Sequence, residues 1–309
     1  GCYYAGLGDD LFSPLSLTLT TFGILFFHLF SNLYNDYFDV THGTDEANTE
    51  YFNAGMNSPI LKGAQLSGGS RAVELGLITL KGTKSLANIM FVLGLFTATT
   101  ILYNSYVNTG STSNAYYSAI IALIGVFVGY FYTAKPIRLS SRYGLGELSI
   151  FLSFGPLLTL GTGFAIASDT ILLYSKEFYN LLILGIPIGL LTTNILFINQ
   201  YPDYTSDKKV GKNHLVVLIG KKASRWIYAI NTAVAIGSLY FISENILNDT
   251  QGLLFLYILI PVSMIYSYYL ISGLFKYYNS RELIKYNIHT IYFHMFFSFI
   301  YMIILANFQ

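Results

Sequence analysis

Phe178–Asp207 reads FYNLLILGIPIGLLTTNILFINQYPDYTSD. From Phe178 to Tyr201 the stretch carries no charged residue. A helix needs about 20 mostly apolar residues to cross a hydrocarbon core about 30 Å thick. The run therefore reads as a membrane-spanning helix. Its end places Asn199, Asp203 and Asp207 at i, i+4 and i+8, on one helical face. Pro202 lies among them and is expected to kink or break the helix there.

The rest of the chain repeats this pattern. Similar apolar stretches cover residues 15–35, 85–107, 115–134, 145–168, 226–243, 252–273 and 288–307. Gly1–Gly8 (GCYYAGLG) reads as the tail of a truncated earlier helix, which makes nine spans in the intact protein. The expected architecture is an all-α, polytopic transmembrane helix bundle: eight full spans after a truncated first one, forming a single domain over 1–309. Composition agrees. Charged residues make up 11% of the 309, against about 25% in soluble domains, and mean hydropathy is +0.52. A soluble globule cannot be coated with so little charge. The net charge of +1 argues against nucleic acid as a partner. The lone cysteine, Cys2, excludes an internal disulfide framework and a cysteine-built metal site. No protein partner is evident; the partner of the apolar faces is membrane lipid.

Basic residues set the orientation. With the truncated helix counted as the first span, Lys62, Arg71, Lys81 and Lys84 follow the second, and Lys135, Arg138 and Arg142 follow the fourth. Lys208, Lys209, Lys212, Lys221, Lys222 and Arg225 follow the sixth, and Lys276, Arg281 and Lys285 follow the eighth. Only Lys176 falls on the other side. Positive residues stay cytoplasmic, so these loops face the cytoplasm across the cell (inner) membrane. One of them, 39–84, is long and rich in Gly, Ser and Asn. It reads either as a cap over a site or as a plain connector.

Two acidic clusters lie at that face. The second span ends with Asn32, Asp36 and Asp39 at i, i+4 and i+7; the sixth ends with Asn199, Asp203 and Asp207. Two carboxylates about 6 Å apart at an effective dielectric of about 20 repel by about 3 kcal/mol, and acidic groups resist insertion into a bilayer. Either the clusters are solvated helix ends, or a cation offsets the repulsion. Oxygen-only donors, with no Cys, point to Mg²⁺, which prefers one or two carboxylates completed by phosphate oxygens. A diphosphate completes such a site.

These motifs resemble those of the UbiA superfamily of intramembrane aromatic prenyltransferases. The variant Asn35-Asp36-Tyr-Phe-Asp39-Val-Thr-His-Gly43-Thr-Asp45 is similar to that of the 1,4-dihydroxy-2-naphthoate polyprenyltransferases of menaquinone synthesis. Gly68-Gly69-Ser70-Arg71, Gly144-Leu-Gly146-Glu147 and Gly211-Lys212-Asn213 fit the same branch. The resemblance implies Mg-dependent transfer of a polyprenyl group from a polyprenyl diphosphate to an aromatic small molecule, 1,4-dihydroxy-2-naphthoate ahead of 4-hydroxybenzoate, homogentisate or a glycerol-phosphate lipid. A secondary transporter is the rival outside the family, but transporters place their ionisable groups near the bilayer midplane.

Under this resemblance, Asp36, Asp39, Asp203 and Asp207 hold metal and act catalytically, and Asn32 joins them or binds phosphate. Asn199, Arg71, Arg138 and Lys212 are expected on the diphosphate. Lys135 is expected to stabilise developing charge, although each basic residue also serves topology. Tyr132 and Tyr201 are the rings expected to face an allylic cation. His28 reads as a polar residue packed inside the bundle, His214 as a loop histidine, and Glu147 as the partner of a nearby arginine.

Overall fold

Every uncharged run expected to cross a membrane is helical, and the helices bearing the acids continue well past their apolar stretch. The computed structural model describes residues 14–41, 72–73, 76–110, 112–167, 170–247 and 249–307. Helix α1 spans Pro14–Thr41, α2 Leu80–Thr109 and α3 Thr112–Phe131. A short 3₁₀ turn, Leu139–Ser141, precedes α4 (Leu145–Phe154) and α5 (Pro156–Ile166). Helix α6 spans Lys176–Lys209, α7 Leu215–Ile219 and α8 Lys221–Asn245. Helix α9 (Asp249–Leu254) runs through a π-helical turn at Phe255–Leu259 into α10 (Ile260–Tyr277), and α11 covers Leu283–Asn307. These make eight segments long and apolar enough to cross a membrane, and no strand forms among the described residues. The chain is an integral membrane protein. The stretch read as a truncated first span lies outside the described residues, as does most of the 39–84 loop.

Helix α1 runs to Thr41 and carries Asn32, Asp36 and Asp39, as their spacing required. Two expectations change. Helix α6 does not break at Pro202 but runs through it to Lys209. Hydropathy marks where lipid ends, and a helix can continue into the polar interface. Conversely, the run 145–168 is two helices. Gly155 takes φ −119, ψ −109 between them, and Pro156 starts α5, where its missing N–H is no loss.

Helix α6 is the hub. Of its most apolar window 56% is buried within the protein, against 11–33% for the other spans. On one side Leu184, Phe197 and Ile198 pack against Leu239 of α8, Leu274 of α10 and Phe297 of α11. On the other, Leu181 joins Leu160 and Phe164 of α5. Helices α1 and α2 pack through Phe30, Tyr34 and Ala87. Where α6 crosses the α4–α5 break, glycine replaces side chains. A Cβ on Gly155 would lie 2.7 Å from the carbonyl oxygen of Gly185, and one on Gly189 would lie 2.5 Å from that of Phe151. Without water to drive association, helices in lipid rely on such close backbone approach.

Candidate active site

The acid-bearing ends of α1 and α6 meet through what lies between them. After α6, the chain turns at Gly211, and the Lys212 ammonium comes within 3.8 Å of Asp207 Oδ1. Desolvation pushes the Lys212 pKa down, but the carboxylates of Asp207, Asp39 and Asp203 together more than reverse this and hold it above the usual lysine range. Asp39 is on α1 and Asp203 and Asp207 are on α6, so one cation senses both clusters. Tyr132, just past α3, stands beside Asp39, Asp207 and Glu147. Desolvation first and then these carboxylates, opposed by Lys212, push its phenol well above the usual tyrosine range. It is a neutral ring at the acid ends. Asp36 is half-buried one turn beyond Asn32.

The loops that carry these groups are tied together. The Thr133 hydroxyl donates to Asn35 Oδ1 at 2.6 Å, fixing the turn after α3 to α1. The N–H of Tyr143 donates to the carbonyl of Asn213 at 3.0 Å, joining that turn to the one after α6. Glu147 accepts at Oε1 from Gln200 Nε2 of α6 (2.9 Å) and from the N–H of Leu215 (3.0 Å), and it forms no ion pair with an arginine among the described residues. Glu147→Ala strands a buried donor on Gln200 at about 1–3 kcal/mol and the half-buried N–H of Leu215. We expect a lower thermal midpoint in detergent, with partial recovery in Glu147→Gln, which keeps an accepting oxygen.

Both asparagines of the clusters are oriented from behind. Asn32 Nδ2 donates to His28 Nε2 at 3.0 Å, leaving its carbonyl oxygen for a ligand. Asn199 Oδ1 instead accepts from Asn287 Nδ2 of α11 at 3.2 Å, leaving its amide hydrogens. Asp207 Oδ2 accepts from His214 Nε2 at 3.0 Å. Asn287 was not expected at the site, and for His28 and His214 a place there was the lesser reading. A signal existed for His28, which is one helical turn from Asn32. None existed for Asn287, which meets Asn199 only in the fold.

The other expected residues among those described lie in the loop after α3 and in the core. Lys135 is exposed, at the cis Lys135–Pro136 bond. Arg138 is half-buried in the same turn, with a left-handed φ of 48°. Arg142 clamps its own loop, donating to the carbonyls of Ile137 and Pro136 at 2.8 Å each. Tyr201 is fully buried in the core and accepts a hydrogen bond from the Ser224 hydroxyl. Arg71, Asp45 and the Gly68–Ser70 stretch lie outside the described residues.

A cavity of about 290 Å³ opens from this cluster between α1, α2, α3 and the α4–α5 pair. His28, Asn32, Asn35 and Tyr132 line one end, and Thr20, Thr162 and Ala165 the other. Along α1, Thr20 to Asn35 is about 22 Å at 1.5 Å per residue. Most of the lining between is apolar, including Ile24, Phe27, Ile101, Leu102, Ile121 and Leu157. The arrangement is a polar mouth, next to the acidic helix ends through Tyr132, on a long greasy pocket, which suits an amphiphile with a polar head.

Among the described residues, no three Asp, Glu, His or Cys side chains stand close enough to hold a metal unaided. The donor set nevertheless fits Mg²⁺. Carboxylates from two helices share one cation, and Mg²⁺ takes few protein ligands and completes its shell with phosphate oxygens.

The sequence profile of the UbiA prenyltransferase family matches residues 2–300. The chain is 30% identical over 247 residues to 1,4-dihydroxy-2-naphthoate octaprenyltransferase of Escherichia coli (strain K12), covering 79% of this chain and 70% of that protein. It is 27% identical over 214 residues to the protein of the same name from Bacillus subtilis (strain 168), covering 69% of this chain. That match spans 58% of the length of the Bacillus protein. In fold, the chain resembles a UbiA homolog from Archaeoglobus fulgidus, solved bound to DMAPP and Mg²⁺, with a TM-score of 0.59 at 15% identity, covering 99% of this chain and 93% of that one. With the profile running through both acidic helix ends and into the last of the eight spans, the chain belongs to the UbiA prenyltransferase family.

Proposed function

We propose that this chain transfers the prenyl group of an allylic polyprenyl diphosphate to 1,4-dihydroxy-2-naphthoate in a Mg²⁺-dependent reaction. It acts as one domain over residues 1–309, in the cell (inner) membrane, with its site facing the cytoplasm. The observation that carries this reading is the meeting of two acidic helix ends around Lys212 and Tyr132 at the mouth of an apolar cavity. The names of the E. coli and Bacillus relatives support the naphthoate acceptor. The bias of basic residues supports the orientation.

Asp36, Asp39, Asp203 and Asp207, with the carbonyl oxygen of Asn32, would hold the metal. When bound, Mg²⁺ neutralises the diphosphate as a Lewis acid and makes it a competent leaving group. The amide of Asn199 and the Lys212 ammonium donate to phosphate oxygens, joined by Arg138, Lys135 and Arg71 from the loops. The allylic C–O bond breaks and its electron pair stays on the diphosphate. The neutral Tyr132 ring offers its π-face to the allylic cation, and the apolar cavity keeps water from quenching it. A ring carbon of the acceptor supplies the electron pair for the new C–C bond. Loss of CO₂ from that carbon, or of a proton where no carboxylate is present, restores aromaticity.

The test uses purified protein, geranylgeranyl diphosphate, Mg²⁺ and a panel of aromatic acids, with products identified by mass. A decarboxylated, prenylated naphthol and free diphosphate are expected, and chelating Mg²⁺ should stop both. Product from 4-hydroxybenzoate or homogentisate and none from the naphthoate would overturn the acceptor. Substrate accumulation in vesicles without diphosphate release would overturn the enzyme.

A further inference from the structure

His214 does two things at once. It is the N-cap of α7, and its Nδ1 accepts the backbone N–H of Val217 at 3.3 Å. A backbone N–H can only donate, so Nδ1 carries no hydrogen, and the neutral ring bears its proton on Nε2. Nε2 lies 3.0 Å from Asp207 Oδ2 and donates to it. The side chain is 1% exposed, so neither bond competes with water. Asp207 faces Lys212 through its other oxygen, Oδ1, at 3.8 Å. One carboxylate oxygen is thus held from behind by a buried imidazole, and the other is presented towards Lys212, the cation between the two clusters. The cap also fixes the ring. A rotation that broke the bond to Asp207 would uncap α7, whose first residue, Leu215, is pinned by Glu147.

We infer that His214 is a positioning residue for metal binding, fixing Asp207 so that Oδ1 alone meets the metal–diphosphate. This rests on the proposed function, in which Asp207 is a metal ligand. Partners behind a ligand typically set its affinity for metal by about 10–100-fold. An ordinary helix cap would have no such effect.

Two substitutions separate the roles. Threonine at 214 keeps a capping oxygen but does not reach Asp207. Glutamine places an amide nitrogen near the position of Nε2 but caps poorly. Mg²⁺ is titrated calorimetrically into the full chain in the presence of geranylgeranyl thiolodiphosphate, which does not ionise, and thermal midpoints are read on the same samples. His214→Thr is expected to weaken Mg²⁺ binding about tenfold or more with a near-native midpoint. His214→Gln is expected to bind Mg²⁺ within about threefold of the unaltered chain, with a lowered midpoint. If His214→Thr binds Mg²⁺ as the unaltered chain does, or if affinity falls only in step with the midpoint in both variants, the inference is wrong and His214 is a cap alone. If the unaltered chain binds no Mg²⁺ with the analogue, the proposed function fails, and the inference with it.

Discussion

Asp203→Ala and, separately, Asp36→Ala are each expected to lower prenyl transfer by at least about a thousandfold while the protein still inserts and folds. Lewis-acid neutralisation of a leaving group is worth several kcal/mol, and each 1.36 kcal/mol is about tenfold in rate, so losing about 4 kcal/mol reaches background. Stability should not follow activity. Removing one of four clustered carboxylates lowers their mutual repulsion, which offsets part of what that side chain's own interactions contribute. The contrast is the diagnostic part, with turnover at background and a thermal midpoint close to that of the unaltered protein. Product formation is measured by mass, and folding by size-exclusion profile and thermal midpoint in detergent. Native-like turnover in either variant removes the metal assignment at that position.

Gly189→Ala is expected to have a large effect outside the site. The new Cβ would sit 2.5 Å from the Phe151 carbonyl oxygen and 2.9 Å from the Gly155 Cα, both backbone atoms that cannot turn aside. Helix α6 must then lift from the α4–α5 break. Overpacking of this kind costs about 1–3 kcal/mol, which lowers the midpoint by about 2–5 °C. Gly189→Leu should give no folded, monodisperse protein. Gly237→Ala is the control. That glycine lies in α8 with nothing within 4 Å of an added Cβ, and alanine is the better helix former, so stability should hold or rise slightly. A fall at Gly237 as large as that at Gly189 would show that glycine loss in a helix, not the crossing, sets the effect.

The two clusters and the spans were legible because membrane insertion leaves plain marks. Apolar runs must be about 20 residues long, and an acid near one must have a reason to be there. Helical spacing then placed Asn32, Asp36 and Asp39 on one face before any fold was known. Where the helices end was less legible. Hydropathy stops at the lipid boundary, but α1 and α6 continue as helices through the interface. The break at Gly155 was hidden because the run around it stays apolar on both sides. What was not legible at all were contacts between distant segments: Asn287 with Asn199, Glu147 with Gln200 and Leu215, and the Tyr143 N–H with Asn213. Tyr201 shows the converse error. Adjacency to Asp203 in the chain put it at the site, but its own face of α6 turns into the core.

The most direct test is an experimental structure of the full chain with Mg²⁺ and geranylgeranyl thiolodiphosphate. We predict one diphosphate bridged through metal to carboxylates of both α1 and α6, with its prenyl chain running into the cavity towards Thr20. A diphosphate held by only one of the two helices, or seated away from both, would contradict the account.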